Sequence, residues 1–176
     1  MTQRLFLLGL AIAIAACGTA PQSSTPGIPA GEFLEFNGSW NGVGTRHTVP
    51  LGDNRVGSIV NLKGTMLLAG SGRPGVGFHA EVIGLVDSTT GFQGRSVWTD
   101  ENRDQVFSEL QGEGTAAKNR IRGTILAGTG RYAGVTGSYE FSWQSVIEGE
   151  EGAMQGRAVD LKGRVRLGNS VGGSPR

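Results

Sequence analysis

The stretch Val159-Asp160-Leu161-Lys162-Gly163-Arg164-Val165-Arg166-Leu167 decides the fold class of this chain. Its odd positions are apolar or glycine and its even positions are charged. Successive side chains of a strand point to opposite faces, so this period of two puts Val159, Leu161, Gly163, Val165 and Leu167 on one side. Asp160, Lys162, Arg164 and Arg166 fall on the other, where they read as a solvated face rather than an anion-binding patch. The same period recurs upstream. Tyr139, Phe141 and Trp143 share a face opposite Ser138, Glu140, Ser142 and Gln144, and Val60, Leu62, Gly64, Met66 and Leu68 form another apolar row. Between Gly31 and Gly168 no apolar stripe of helical period is sustained.

Clusters of Gly, Asp, Asn and Pro cut this region into eight predicted strands, at about 32–49, 55–69, 76–87, 93–99, 105–111, 119–127, 137–148 and 155–167. The links are short, so neighbours are expected to pair antiparallel. Eight such strands close into an up-and-down β-barrel or pack as a sandwich, and closure removes the exposed edges. The expectation is an all-β chain, an eight-stranded antiparallel up-and-down β-barrel over residues 31–168. Thirty-one of the 176 residues are glycine, without a collagen period, and many of them mark the turns. Three others sit within a recurring strand pattern: Leu62-Lys63-Gly64-Thr65-Met66, Ile121-Arg122-Gly123-Thr124-Ile125 and Leu161-Lys162-Gly163-Arg164-Val165. Each lies on the apolar row, which predicts a bend or a bulky neighbour pressed against it.

The N-terminus has a different character. Arg4 precedes an apolar run from Leu5 to Ala16, which as a helix rises only about 18 Å, short of a ~30 Å hydrocarbon core. A secretory signal fits it better than a membrane span. The run ends in Ile14-Ala15-Ala16-Cys17, which resembles the lipobox of bacterial lipoproteins, and Cys17 is the sole cysteine. The resemblance implies a signal peptide over 1–16, cleavage before Cys17 and lipidation of Cys17. The protein would then be held at the membrane of a bacterial cell envelope by several acyl chains. Gly18 rather than Asp follows the cysteine, which in that family favours the outer membrane, facing the periplasm. Residues 17–30 carry no charge and include Pro21, Pro26 and Pro29, so they read as the lipidated cysteine and a flexible tether. Residues 169–176 read as a disordered tail.

The most specific signal within the domain is Ile125-Leu126-Ala127-Gly128-Thr129-Gly130-Arg131-Tyr132-Ala133-Gly134-Val135-Thr136-Gly137. It resembles the glycine-rich turn of the dirigent and allene oxide cyclase-like barrels, with Gly128, Thr129, Gly130, Tyr132 and Gly137 at the matching positions. Residue 127 is Ala where that family often has Gly. The resemblance implies an eight-stranded barrel with a lumen for small apolar molecules. Dirigent proteins often carry a pocket-facing arginine near the end of this turn, but the residues here read Val135-Thr136-Gly137, so that cation is missing. Physically, the glycines allow the positive φ of a wide turn, and Tyr132 is then free to fold back over a barrel end.

Charge and motifs exclude several function classes. A formal net charge of +1 gives no electrostatic basis for nucleic-acid binding. His47 and His79 lie far apart with no cysteine cluster, so no metal site is expected. The Gly-x-Gly motifs at 42–44, 75–77, 112–114 and 128–130 lack the following helix that a phosphate loop requires. No cofactor is expected. Asp100-Glu101-Asn102-Arg103-Asp104 lacks the central glycine of a calcium loop and reads as an acidic turn.

The lumen candidates are Trp40, Trp98, Phe107, Tyr139, Phe141 and Trp143 as apolar lining or plug, with His79, Glu81 and Glu109 as acid–base candidates if they face inward. By parity His79 and Glu81 share a face with Ile83 and Leu85, and Glu109 shares one with Phe107 and Gln111. Three functions fit: a non-catalytic barrel binding a small apolar ligand or a partner, a structural envelope lipoprotein with a filled core, and a cofactor-free isomerase or cyclase acting in the lumen. Association of copies into a homo-oligomer is compatible with all three. A lumen of about 300 Å³ or more would separate container from filled barrel.

Overall fold

A computed structural model describes residues 32–70, 75–113 and 120–168. The predicted signal peptide, Cys17, the tether and the tail lie outside the described residues. The fold is a closed barrel of eight strands in chain order, each antiparallel to its neighbours. The strands are β1 (Phe33–Gly52), β2 (Arg55–Gly70), β3 (Val76–Asp87), β4 (Gly91–Thr99), β5 (Gln105–Gly112), β6 (Arg120–Gly128), β7 (Thr136–Glu148) and β8 (Ala153–Arg166). The sheet closes by pairing β1 with β8, from Phe33↔Arg166 to Thr45↔Ala153. The all-β barrel expected from the alternation is thus what the chain forms, and the strand limits agree within a few residues.

Alternation fixes the inner face. Ser58, Val60, Leu62 and Met66 of β2 are buried, as are Phe78, Ala80 and Val82 of β3. Burying one such aliphatic side chain stabilises the fold by about 1.5–3 kcal/mol. The glycines on these rows give room. The Tyr139 ring lies where a Cβ of Gly123 would stand, and Phe36 and Tyr139 press on Gly163. At Gly64 the close neighbour is backbone: the Asn41 carbonyl and Gly42 of β1 approach its inner side.

One parity reading needs correction. Val159 does not stay on the row of Leu161, Gly163 and Val165. The registers of β8 with β1 and with β7 both shift there, and Asp160 has a φ of 55°. This bulge inserts one residue and reverses the facing of everything before it, so the inward residues upstream are Met154, Gly156 and Ala158. A second shift, between Phe107 and Ser108 against β6, leaves Leu126 on the exposed side.

The two ends of the barrel differ. The chain enters β1 at the end that also carries the β4–β5 and β6–β7 links, and that end is plugged. Tyr132, Phe78, Trp98 and Tyr139 form a chain of rings with centroids 5.8, 6.0 and 4.7 Å apart, and Phe36 meets Trp98 edge-on at 6.5 Å. Tyr139 donates to or accepts from Ser96 Oγ at 3.1 Å, within the plug. Burial pushes the Tyr139 phenol up to about 12, despite the neighbouring Ser108 and Ser96 hydroxyls, of which Ser96 bonds it. It therefore stays protonated across the physiological range.

Candidate functional site

The opposite half of the barrel is hollow. A cavity of about 480 Å³ lies above the plug, toward the end with the β1–β2, β3–β4 and β7–β8 turns. Its floor and walls are apolar: Trp40 from β1, Val60 and Leu62 from β2, Val82 and Val86 from β3, and Phe92 from β4. Leu110, Ile121, Phe141, Trp143 and Met154 complete them. Trp40 and Trp143 pack together at 5.2 Å, and the buried Trp40 indole N–H has no hydrogen-bond partner among the described residues. Below the cavity only about 10 Å³ of free space remains among Met66, Ala80, Trp98, Tyr139 and Leu161.

The sequence candidates divide between the two faces. Trp40, Phe141 and Trp143 line the cavity, whereas Trp98 and Tyr139 belong to the plug. His79 and Glu81 are not lumen residues: their side chains are 54% and 57% exposed, and they bond each other at 3.3 Å on the outer surface. The inward row of β3 is instead Phe78, Ala80 and Val82. Both rows of this strand carry apolar residues, so Ile83 and Leu85, 58% and 54% exposed, gave their face a misleading hydrophobicity. Phe107 and Glu109 also stand on the outer face, because Val106, Ser108 and Leu110 fill the inner row of β5. Glu109 pairs there with Arg95 at 3.5 Å across β4–β5. Exposed pairs of this kind contribute about 0–1 kcal/mol, and this one holds Glu109 on the outer face.

A residue absent from the sequence candidates completes the site. Arg46 follows Trp40, Gly42 and Gly44 on the inward row of β1, pairs with Val60, and lines the cavity. Its Nε donates to Ser58 Oγ at 3.1 Å, and Ser58 Oγ in turn lies 2.8 Å from Thr48 Oγ1. The turn between β6 and β7 carries no arginine at 135–137, but β1 brings one to the cavity. Arg120, Ser145 and Glu148 are the other polar side chains around the opening, and Arg120 and Glu148 are exposed.

The glycine-rich turn closes the plugged end. Gly130 has a φ of 51°, and the Asp104 carboxylate occupies the space a Cβ would need, so the position requires glycine on both counts. Thr129 bridges to Gln105 twice, through its N–H to the carbonyl and through Oγ1 from the Gln105 N–H, each at 2.8 Å. Gly128 makes room for the Tyr132 backbone, and Gly137 lies close to the Arg164 carbonyl. Tyr132 folds over the barrel end onto Phe78, and Arg131 donates to its hydroxyl at 2.9 Å.

Arg131 also pairs with Asp100, whose side chain is fully covered. Asp100 accepts from the Asn102 N–H at 2.8 Å and the Asp104 N–H at 3.0 Å. Burial works against its charge, but the N–H groups of Asp104 and Asn102, then Tyr132 and Arg131, outweigh it and hold the carboxyl below its ordinary range. The stretch 100–104 is thus a latch, and among the described residues no group of His, Cys, Asp and Glu is arranged to hold a metal. With the folded-state pKa depressed, the stabilisation is full above the ordinary carboxylate value and is lost as pH falls through the folded-state value. Asp100→Asn is expected to cost about 2 kcal/mol at neutral pH, read from urea midpoints. The gap to wild type should close below about pH 4. A gap independent of pH would show that the charge of Asp100 is not what it contributes.

No protein-family model, curated protein or solved structure matches the chain. Function is therefore argued from the cavity and the residues around it.

Proposed function

We propose that this protein is a lipid-anchored protein of the bacterial envelope whose barrel holds a small apolar ligand without converting it. The observation that carries this reading is the apolar cavity of about 480 Å³, which falls in the ~300–1,000 Å³ range of small-molecule sites. A barrel serving only as structure gains stability by filling that volume, since empty space forfeits packing contacts. A lumen isomerase would need an acid or base against its substrate. His79, Glu81 and Glu109 stand outside, Tyr139 is held protonated beneath the floor, and Glu148, the one carboxylate lining the cavity among the described residues, sits exposed at its opening. The Ile14-Ala15-Ala16-Cys17 sequence supports the anchor. The resemblance of residues 125–137 to the allene oxide cyclase-like turn supports the kinship of the barrel.

Native mass spectrometry of protein taken from its own envelope should reveal a bound small molecule. A bare polypeptide that takes up no N-phenyl-1-naphthylamine, a neutral apolar dye, would overturn the binding function. For the anchor, Cys17→Ser should accumulate as unprocessed precursor and lose acylation. A variant that is processed and membrane-bound like wild type would show the lipoprotein assignment to be wrong.

A further inference from the structure

We propose that the cavity selects apolar molecules carrying one anionic group, with Arg46 as the residue that takes the charge. This deepens the ligand-binding reading and rests on it. The register of β1 turns Arg46 inward beside Val60, and Gly42 and Gly44 on the same row contribute no side chain between the guanidinium and Trp40, whose ring lies over Gly42. Ser58, 2% exposed, accepts from Nε and is itself tied to Thr48, which orients the group. That bond uses one of five N–H donors. Among the described residues, the two terminal nitrogens have no hydrogen-bond or ion-pair partner.

The contrast with other arginines is informative. Arg55 pairs with Asp87, Arg95 with Glu109 and Arg131 with Asp100, and the remaining arginines among the described residues are exposed to water. Arg46 is half-buried in an apolar cup and has no carboxylate within ion-pair distance among the described residues. A cation taken partly out of water without a counter-charge is destabilising, and an incoming anion reverses that cost. The free edge of a guanidinium matches two oxygens of a carboxylate or sulfonate. Glu148 lines the same opening but is exposed and makes no ion pair with Arg46 among the described residues. The ligand's apolar body would then lie against Trp40, Phe92, Phe141 and Trp143.

Two dyes with the same anilinonaphthalene body test this: the sulfonate 1-anilinonaphthalene-8-sulfonate and the neutral N-phenyl-1-naphthylamine. Wild type should bind the sulfonate at least tenfold more tightly. Arg46→Gln should abolish that preference and leave the neutral dye's affinity within twofold, whereas Arg157→Gln, on the outward row of β8, should change the preference less than threefold. Thermal melts would establish that each variant is folded. If Arg46→Gln does not fold, the wild-type comparison alone decides: equal affinity for the two dyes overturns anion selection. So does a folded Arg46→Gln that keeps the preference. Failure of both dyes to enter wild type would instead overturn the ligand-binding reading itself.

Discussion

A Gly64→Val chain is expected to be severely destabilised, melting far below wild type. Gly64 faces Gly42 across the β1–β2 pairing, and a Cβ at this position would overlap the Asn41 carbonyl oxygen and come within 3.1 Å of the Gly42 Cα. Overpacking a core usually costs about 1–3 kcal/mol, because neighbouring side chains can rotate away. Here the obstructing atoms are backbone, so relief requires β1 and β2 to separate. That pairing runs from Phe36↔Gly70 to Gly52↔Arg55 and forms the wall that carries Trp40, Arg46, Val60 and Leu62. The expected loss exceeds about 4 kcal/mol, a large share of a typical domain's stability. Gly77→Ala is the matched control, since among the described residues, its chain neighbours aside, no atom lies within 4 Å of its Cβ position. It should change stability by no more than about 0.5 kcal/mol. A Gly64→Val protein melting within about 2 °C of wild type would show that the strands do not approach as described.

Filling the cavity should have the largest effect on ligand uptake. Val86 is on the inward row of β3, half-buried, and lines the hollow half rather than the plug. Tryptophan there projects its ring into free space instead of into packed neighbours. Uptake of N-phenyl-1-naphthylamine is expected to weaken more than 30-fold. Stability should hold or rise by about 0.5–2 kcal/mol, the usual result of filling a void. The opposite signs of the two effects separate this outcome from simple misfolding. If Val86→Trp is folded and takes up the dye as wild type does, the dye binds elsewhere on the protein.

The barrel was legible in the sequence because its determinants are local. Strict alternation in 60–68, 139–143 and 161–167, with turn clusters between strands, is enough to give eight antiparallel neighbours. The pressure on Gly123 and Gly163 was also legible, since a glycine on an apolar row implies something bulky over it. The candidate site was harder to read. In 40–49 the outward row carries Val43 and Val49 while the inward row reads Gly42, Gly44, Arg46 and Thr48, so hydrophobicity pointed away from the lumen and Arg46 went unnoticed. His79 and Glu81 were placed with Ile83 and Leu85, which do share their face, but that face is the outer one. Val159 was misassigned because a bulge leaves no mark in a period-two pattern when apolar residues flank it. Face assignment depends on register across strands, and a single chain's periodicity does not contain it.

Closure between β1 and β8 has a consequence in time. Phe33 finds its partner in Arg166, so the seam joins the first strand to the last. No barrel exists until the final strand has emerged, and pairings this distant in sequence form slowly. For a chain exported in an extended state, as its first sixteen residues suggest, that delay is useful. A polypeptide exported as proposed would stay open while threaded across the membrane and gain its interior only after crossing. The hollow half would therefore be formed, and first exposed to ligand, on the far side.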